Sequence, residues 1–225
     1  MLVAEISNCH FGDMYRAKEL IAAAHGSGAD IVKMQAFSAE DIKTGSMPLR
    51  FYKQCEFSVY ECIELIDYAR SIRNDLFFSI FSSKFNELKN YQKWLKISGA
   101  QYANEKFTMS DDIETTIVSI PERAIPLIRI PKNASVMYVS AYLAADPGLH
   151  NIKKISDQMG RQCGYSDHTV GIEWCKQAID IGANILEKHF CLKKNESWEG
   201  KLYRDTVFGS DPKEFKELSN YINER

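Results

Sequence analysis

The amino-acid sequence predicts a single-domain (β/α)8 barrel of the TIM type over residues 1–225. Three observations carry that prediction. Short apolar runs alternate with helix-period stretches along the whole chain, as in a parallel sheet whose strands are joined by helices. His168, in Gly164-Tyr165-Ser166-Asp167-His168-Thr169, and His189, in Leu186-Glu187-Lys188-His189-Phe190, lie twenty-one residues apart. One amphipathic stretch, Ile172 to Ile181, separates them and is closed by Gly182, which is the length of one strand–helix–strand step. Finally, no G-x-G-x-x-G follows the first strand, which argues against an open doubly wound sheet.

The elements follow in order. Leu2–Ser7 is the first strand and Met14–Ala24 the first helix; Ile31–Gln35 is the second strand. Lys43–Phe57 lacks a helical period and reads as a long loop roofing the carboxyl end of the barrel. Ser58 and Glu61 form a capping box that opens a helix over Val59–Arg73. Phe77–Phe81 is the third strand, Ser83–Asn90 a helix and Trp94–Ser98 the fourth strand. A helix is expected at Asp112–Val118 and the fifth strand at Ala124–Ile130. Ser135–Tyr142 is the sixth strand, Ile152–Met159 a helix, Cys163–Ser166 the seventh strand, Ile172–Ile181 a helix and Asn184–His189 the eighth strand. Asp211 before Pro212 marks an N-cap with proline at the first helical position of Pro212–Asn223.

Strand residues alternate faces, and the alternation sends charge inward. Glu5 shares a face with Val3 and Ser7, Lys33 and Gln35 with Ile31, Lys96 and Ser98 with Trp94, and Glu187 and His189 with Ile185. The helix-facing side of a barrel strand must be apolar, so these polar faces point to the axis, with His168 beside them. Buried lysine and glutamate are rare unless paired or functional. Neutralising ion pairs inside the barrel are one reading of the set; six such residues spread over four strands, all toward the carboxyl ends, favour an active site. His168 and His189 would end neighbouring strands roughly 4.8 Å apart, within reach of one metal ion. Two histidines leave coordination positions open for water and a carbonyl oxygen. Glu187 shares a face with His189 and is a candidate to fix its tautomer from behind. His10, just past the first strand, is either a ligand or a loop-ordering group. His25 and His150 are expected at the surface and at a loop or helix cap.

Composition excludes other classes. The net charge is −2, with no clustering of lysine and arginine, so no nucleic-acid footprint is present. No apolar run approaches the roughly 20 residues of a membrane span. Met1 leads directly into Leu2-Val3-Ala4 with no charged leader, and a cytoplasmic protein is expected. The six cysteines make no C-x-x-C pair and read as reduced core residues.

Taken together, these segments resemble the sialic acid synthase family, the phosphoenolpyruvate-dependent synthases of N-acetylneuraminate and related nonulosonates. Ala4 to Asp13 is similar to the opening A-E-I-G-x-N-H-x-G-D. Gly28-Ala29-Asp30-Ile31-Val32-Lys33-Met34-Gln35 resembles G-A-D-x-V-K-x-Q, and Lys96-Ile97-Ser98-Gly99 resembles K-I-x-S-G with one residue fewer. Ser140-Ala141-Tyr142 resembles S-A-Y-P. Gly164–Thr169 and Glu187–Phe190 match G-Y-S-D-H-T and E-K-H-F; Asp205 and Pro212–Glu217 resemble the closing D-H and P-x-E-F-K-E.

The resemblance implies a metal-assisted condensation of phosphoenolpyruvate with an N-acetylhexosamine-type aldose, with phosphate release. It implies that His168 and His189 hold a divalent ion, Mn2+ with Mg2+ or Co2+ as alternatives. Lys33, Lys96 and Ser166 would bind phosphoenolpyruvate, with Ser98, Ser140 and Tyr142 in the same pocket. Gln35 would line that pocket too, and Glu5 and Asp205 would contact the sugar hydroxyls and metal-bound waters; Glu5, Gln35 and Asp205 are the expected catalytic residues. A homo-oligomer is expected. The alternatives are another metal-assisted enzyme that forms or cleaves carbon–carbon bonds on a phosphorylated or 2-oxo acid substrate, or a barrel that binds a ligand without turnover.

The sequence also departs from the family pattern. Ser79-Ile80-Phe81-Ser82 stands for S-T-P-F and Arg129-Ile130-Pro131 for S-T-G. Ala100 or Gln101 stands for a glutamate, and Ser197–Arg204 replaces a P-G-P stretch. Arg129, at the position of a small hydroxyl residue, is expected either to bind the phosphate bidentately, the preferred reading, or to fill the pocket against Glu5 or Glu187. Family members continue into a small antifreeze-protein-like domain. The chain is read as the barrel without it, with a separate chain as one possible source of that domain.

Overall fold

The computed structural model describes residues 1–42, 46–98, 115–121, 130 and 134–225. Eight strands carry the fold: β1 (Leu2–Glu5), β2 (Ile31–Ala36), β3 (Asp75–Ile80), β4 (Trp94–Ser98), β5 (Thr115–Pro121), β6 (Ser135–Val139), β7 (Cys163–Asp167) and β8 (Leu186–His189). They pair in the order β3-β2-β1-β8-β7-β6-β5-β4, every ladder parallel. The end strands β3 and β4 pack against each other. Gln92, buried just before β4, joins them: its amide nitrogen donates to the Phe78 carbonyl at 3.0 Å and its oxygen accepts from the Phe78 N–H at 2.9 Å. The ring is a (β/α)8 barrel.

Helices α1 (Met14–Gly26), α2 (Leu49–Cys55), α3 (Val59–Ser71), α4 (His150–Met159), α5 (Glu173–Asp180), α6 (Asp205–Phe208) and α7 (Pro212–Asn223) lie among the described residues. None is long and apolar enough to cross a membrane. The caps follow local chemistry. Asp13 accepts from the N–H groups of Tyr15 and Arg16 at the start of α1, Ser58 and Glu61 form the capping box of α3, and Asp211 accepts from Lys213 and Glu214 ahead of Pro212. All six cysteines are free and buried.

Four expectations are corrected. Residues from Thr115 onward are strand β5, not the end of a helix over Asp112–Val118. Thr115, Thr116, Ile117 and Val118 are β-branched and favour a strand, and ladders to β4 and β6 hold them. The fifth strand therefore does not lie at Ala124–Ile130, of which only Ile130 is described, outside any element. Within Lys43–Phe57, expected as loop, Leu49–Cys55 is a helix that buries Phe51, Tyr52 and Cys55, with Pro48 as its N-cap residue. Ser83–Asn90 is a 3-10 rather than an α-helix, burying Phe85 and Leu88 at three-residue spacing.

Inside the ring, the ladder partners sort the side chains into layers. Val3, Ile31, Phe77, Ile117, Met137 and Ile185 form an apolar plug toward the amino ends. Gly164 is required in this layer: a Cβ there would lie 2.7 Å from the Ile185 carbonyl oxygen. One pleat higher toward the carboxyl ends, the interior turns polar. The outward faces of the strands pack on the helices in one large apolar core that includes Leu2, Ala4, Val32, Met34, Leu20 and Leu65.

Candidate active site

The polar layer is a closed set of charges. Glu5 on β1 pairs with Lys33 on β2, its register partner. Lys33 also lies 3.1 Å from Glu187 on β8. The other oxygen of Glu187 accepts from Lys96 on β4 at 2.5 Å and from the Ser166 hydroxyl on β7 at 2.8 Å. All five residues are at or near full burial. Burial opposes charge on both carboxyls, and the outcomes differ. At Glu187 the ammonium groups of Lys33 and Lys96 outweigh it and hold the carboxyl well below the ordinary range. At Glu5 burial wins, aided by the neighbouring Glu187, and the carboxyl is raised. Lys96 is pushed down to about 8 by burial against the attraction of Glu187.

Above this floor stand the two histidines, at the ends of adjacent strands, with ring centroids 5.1 Å apart. Burial pushes His168 down to about 3, and His189 also falls well below its usual value. Both are neutral imidazoles at physiological pH. Their Nδ1 atoms are buried and without a hydrogen-bond partner. Phe208 on α6 covers both rings, at 5.5 Å from His168 and 4.8 Å from His189, and Tyr142 meets His168 edge-on at 4.6 Å. Two adjacent neutral imidazoles with orphaned nitrogens suit a divalent metal, which would complete its shell from water or substrate oxygen. Among the described residues no group of three His, Cys, Asp or Glu converges on one point.

Asp205 stands beside His189, Oδ2 to Nδ1 at 3.9 Å. That oxygen also accepts from the Ser7 hydroxyl and the Tyr203 hydroxyl, each at 2.7 Å. Ser7, in the turn just after β1, is in the left-handed region, with φ of 52°, and its N–H donates to Glu5 Oε1 at 2.7 Å. A glycine at this place in the resembling motif has a physical reason, since left-handed backbone costs other residues more. The Ser140 hydroxyl accepts from the His168 N–H at 3.0 Å. The site opens into a cavity of about 450 Å3 walled by Gln35, Asp41, Tyr142, Arg204 and Asp205, among others.

The expected site residues therefore gather at one end of the barrel, with exceptions. Arg129 lies outside the described residues. Ser98 ends β4 beside Ser119. Glu187 does not support the His189 ring: its oxygens are taken by Lys33, Lys96 and Ser166, and the carboxylate nearest His189 Nδ1 is Asp205. His10 is the loop-ordering group: buried against Phe57, it accepts the Gly12 N–H at Nδ1, 3.0 Å. Sequence reasoning missed Ser7, Tyr203, Phe208 and Arg204. It also missed the outward network in which Lys188 reaches Asp167 at 2.5 Å and the Thr169 carbonyl at 2.6 Å.

Residues 136–225 match the NeuB family. The matched segment contains Ser166, His168, Glu187, His189 and Asp205. Over nearly its whole length the chain is 27% identical to N,N'-diacetyllegionaminic acid synthase of Legionella pneumophila, covering 99% of this chain and 71% of that protein. It is 28% identical to pseudaminic acid synthase of Helicobacter pylori, covering 99% and 73%. In fold it is similar to N-acetylneuraminic acid synthetase of Leptospira borgpetersenii, with a TM-score of 0.85 at 24% identity over 99% of this chain and 82% of that one.

Proposed function

We propose that the chain is a transferase of the nonulosonate synthase type, joining phosphoenolpyruvate to an open-chain amino sugar and releasing phosphate. The observation that carries this reading is the pair of neutral histidines set side by side above a layer of two buried lysines and two buried glutamates. The names of the NeuB relatives support it.

In the reaction, C3 of phosphoenolpyruvate bonds to the aldehyde carbon of the sugar, whose oxygen takes a proton. Water adds at C2, and the C–O bond to phosphate breaks as the 2-oxo acid forms. His168 and His189 are the residues that would hold a divalent ion, which when bound supplies polarisation of the aldehyde. Lys33 and Lys96 are fixed ammonium groups in a site with little water, where charge stabilisation is strongest. They neutralise the phosphate and carboxylate of phosphoenolpyruvate, assisted by Ser166. An anion bound there competes with Glu5 and Glu187 for the lysines. Glu5 is the more readily displaced, because burial and the neighbouring Glu187 raise its carboxyl whereas that of Glu187 is lowered, and it is suited to exchange a proton with the sugar or the attacking water. Asp205, oriented by Ser7 and Tyr203, accepts from a sugar hydroxyl, and Gln35 lines the approach.

The test is a phosphate-release assay with phosphoenolpyruvate, Mn2+ and a panel of N-acetylhexosamines. Release requiring all three components is expected. Lys33→Met and Lys96→Met should weaken phosphoenolpyruvate binding in calorimetry. Release without any sugar dependence, or no release with any member of the panel, overturns the reading.

A further inference from the structure

The cations of the site lie at two depths. Lys33 and Lys96 are on the floor and already engaged by Glu5 and Glu187. Arg204 is half-buried at the mouth, next to Asp205, and lines the open cavity. Its guanidinium carbon sits 4.1 Å from the centroid of the Tyr142 ring, and that ring meets His168. Its Nε is buried without a hydrogen-bond partner, and among the described residues no carboxylate pairs with it. Asp41 faces the same cavity but is not joined to it. A planar guanidinium held on an aromatic face, with its donors uncommitted, is suited to grip a phosphate or carboxylate at two points.

We propose that Arg204, stacked on Tyr142, is an anion clamp that binds a phosphate or carboxylate carried by the second substrate, the sugar. The inference rests on the condensation reading for that second substrate and for the way the two substrates lie in the site. Phosphoenolpyruvate places its charges on the floor. The aldehyde of the sugar must reach the histidine pair, so its far end runs out through the mouth, along Arg204. Asp41 and Asp205 on the same walls repel an anion set elsewhere, Ser38 is engaged by Lys84 at 2.9 Å, and Gln35 meets neutral hydroxyls. Arg204 thereby selects an acidic sugar over its neutral parent.

Calorimetry on the full chain tests this, with an N-acetylhexosamine, its 6-phosphate, a hexuronic acid and phosphoenolpyruvate as separate probes. At least one acidic sugar should bind about 10-fold more tightly than the neutral one. Arg204→Gln should remove that advantage, Arg204→Lys should restore part of it, and phosphoenolpyruvate affinity should stay within about twofold. Thermal melts establish that both variants fold. Preference for the 6-phosphate or for the uronic acid identifies which anion the clamp takes. Equal weakening of neutral and acidic sugars, weakening of phosphoenolpyruvate instead, or no preference in the wild type overturns the clamp. Failure of the condensation reading is seen separately: clamp behaviour without phosphate release sinks the reaction and leaves the clamp standing.

Discussion

Strands β7 and β8 present two ion networks, one on each face, and the two are built to opposite ends. Outward, Lys188 and Asp167 are fully buried, and both are saturated. Asp167 accepts from Tyr165, Thr169 and Cys175 as well as Lys188, and Lys188 also reaches a backbone carbonyl. Inward, one residue along each strand, His168 and His189 keep orphaned nitrogens, and Glu187 is shared between two lysines and Ser166. Period-two alternation thus divides one pair of strands into a tie and a workplace. Where every polar atom is satisfied, the group serves structure; where burial leaves valences open, the group is available to a ligand.

The contrast breaks most visibly at Lys188. Lys188→Met leaves Asp167 buried without its cation and should cost about 3–5 kcal/mol in urea unfolding. Removing both charges with Asp167→Asn and Lys188→Met together should recover much of that loss. A single variant as stable as wild type would refute the saturated outer tie.

His168→Ala should do the reverse. Stability should hardly change, whereas phosphate release should fall by more than about 100-fold, beyond the effect of groups that merely support a metal ligand. Retained turnover would remove His168 from the site.

A smaller effect comes from acid. His10 and His168 are held neutral, near 3, by burial, whereas in the unfolded chain a histidine titrates near 6.5. As pH falls below about 6.5 the unfolded state takes up protons that the folded state refuses, so stability is lost. The slope approaches about 1.4 kcal/mol per pH unit for each such histidine. Denaturant titrations between pH 7 and 5 should give this fall, and His10→Phe should remove one proton from the slope; an unchanged slope would mean that His10 charges freely in the fold.

Smallest of all, Ser58→Ala breaks the capping box of α3, far from both networks. It should cost about 1 kcal/mol and leave ligand affinities alone. A change in phosphoenolpyruvate binding would mean that the site is not insulated from this helix.

Much of this was legible in the sequence because alternation is local. Val3-Ala4-Glu5 and Ile31-Val32-Lys33 state which side chains face inward without any knowledge of partners. The pairing of Glu5 with Lys33, and the sharing of Glu187 between Lys33 and Lys96, depends on register and diameter around the closed ring, which no single segment carries. Strand β5 was misread although its signal was present: Thr115-Thr116-Ile117-Val118 is a β-branched run, and the helical period laid over it was the weaker argument. Helix α2 escaped because seven residues hold too few turns to declare a period. Arg204 escaped because its importance comes from Tyr142, more than sixty residues earlier in the chain.

The Gln92 amide has a consequence for how the barrel breathes. Around most of the ring, neighbouring strands are laced by repeated backbone bonds, so opening any one joint means breaking several together. At the β3–β4 joint, a side chain with two bonds to Phe78 carries part of that closure. A rotamer change at Gln92 can release the Phe78 N–H without unzipping a ladder. Deuterium should therefore enter the ring at Phe78 sooner than at the backbone-bonded amides of β1 and β8, and Gln92→Ala should hasten it there first. The molecule is a ring with a clasp, and the clasp lies on the side of the barrel away from the histidine pair.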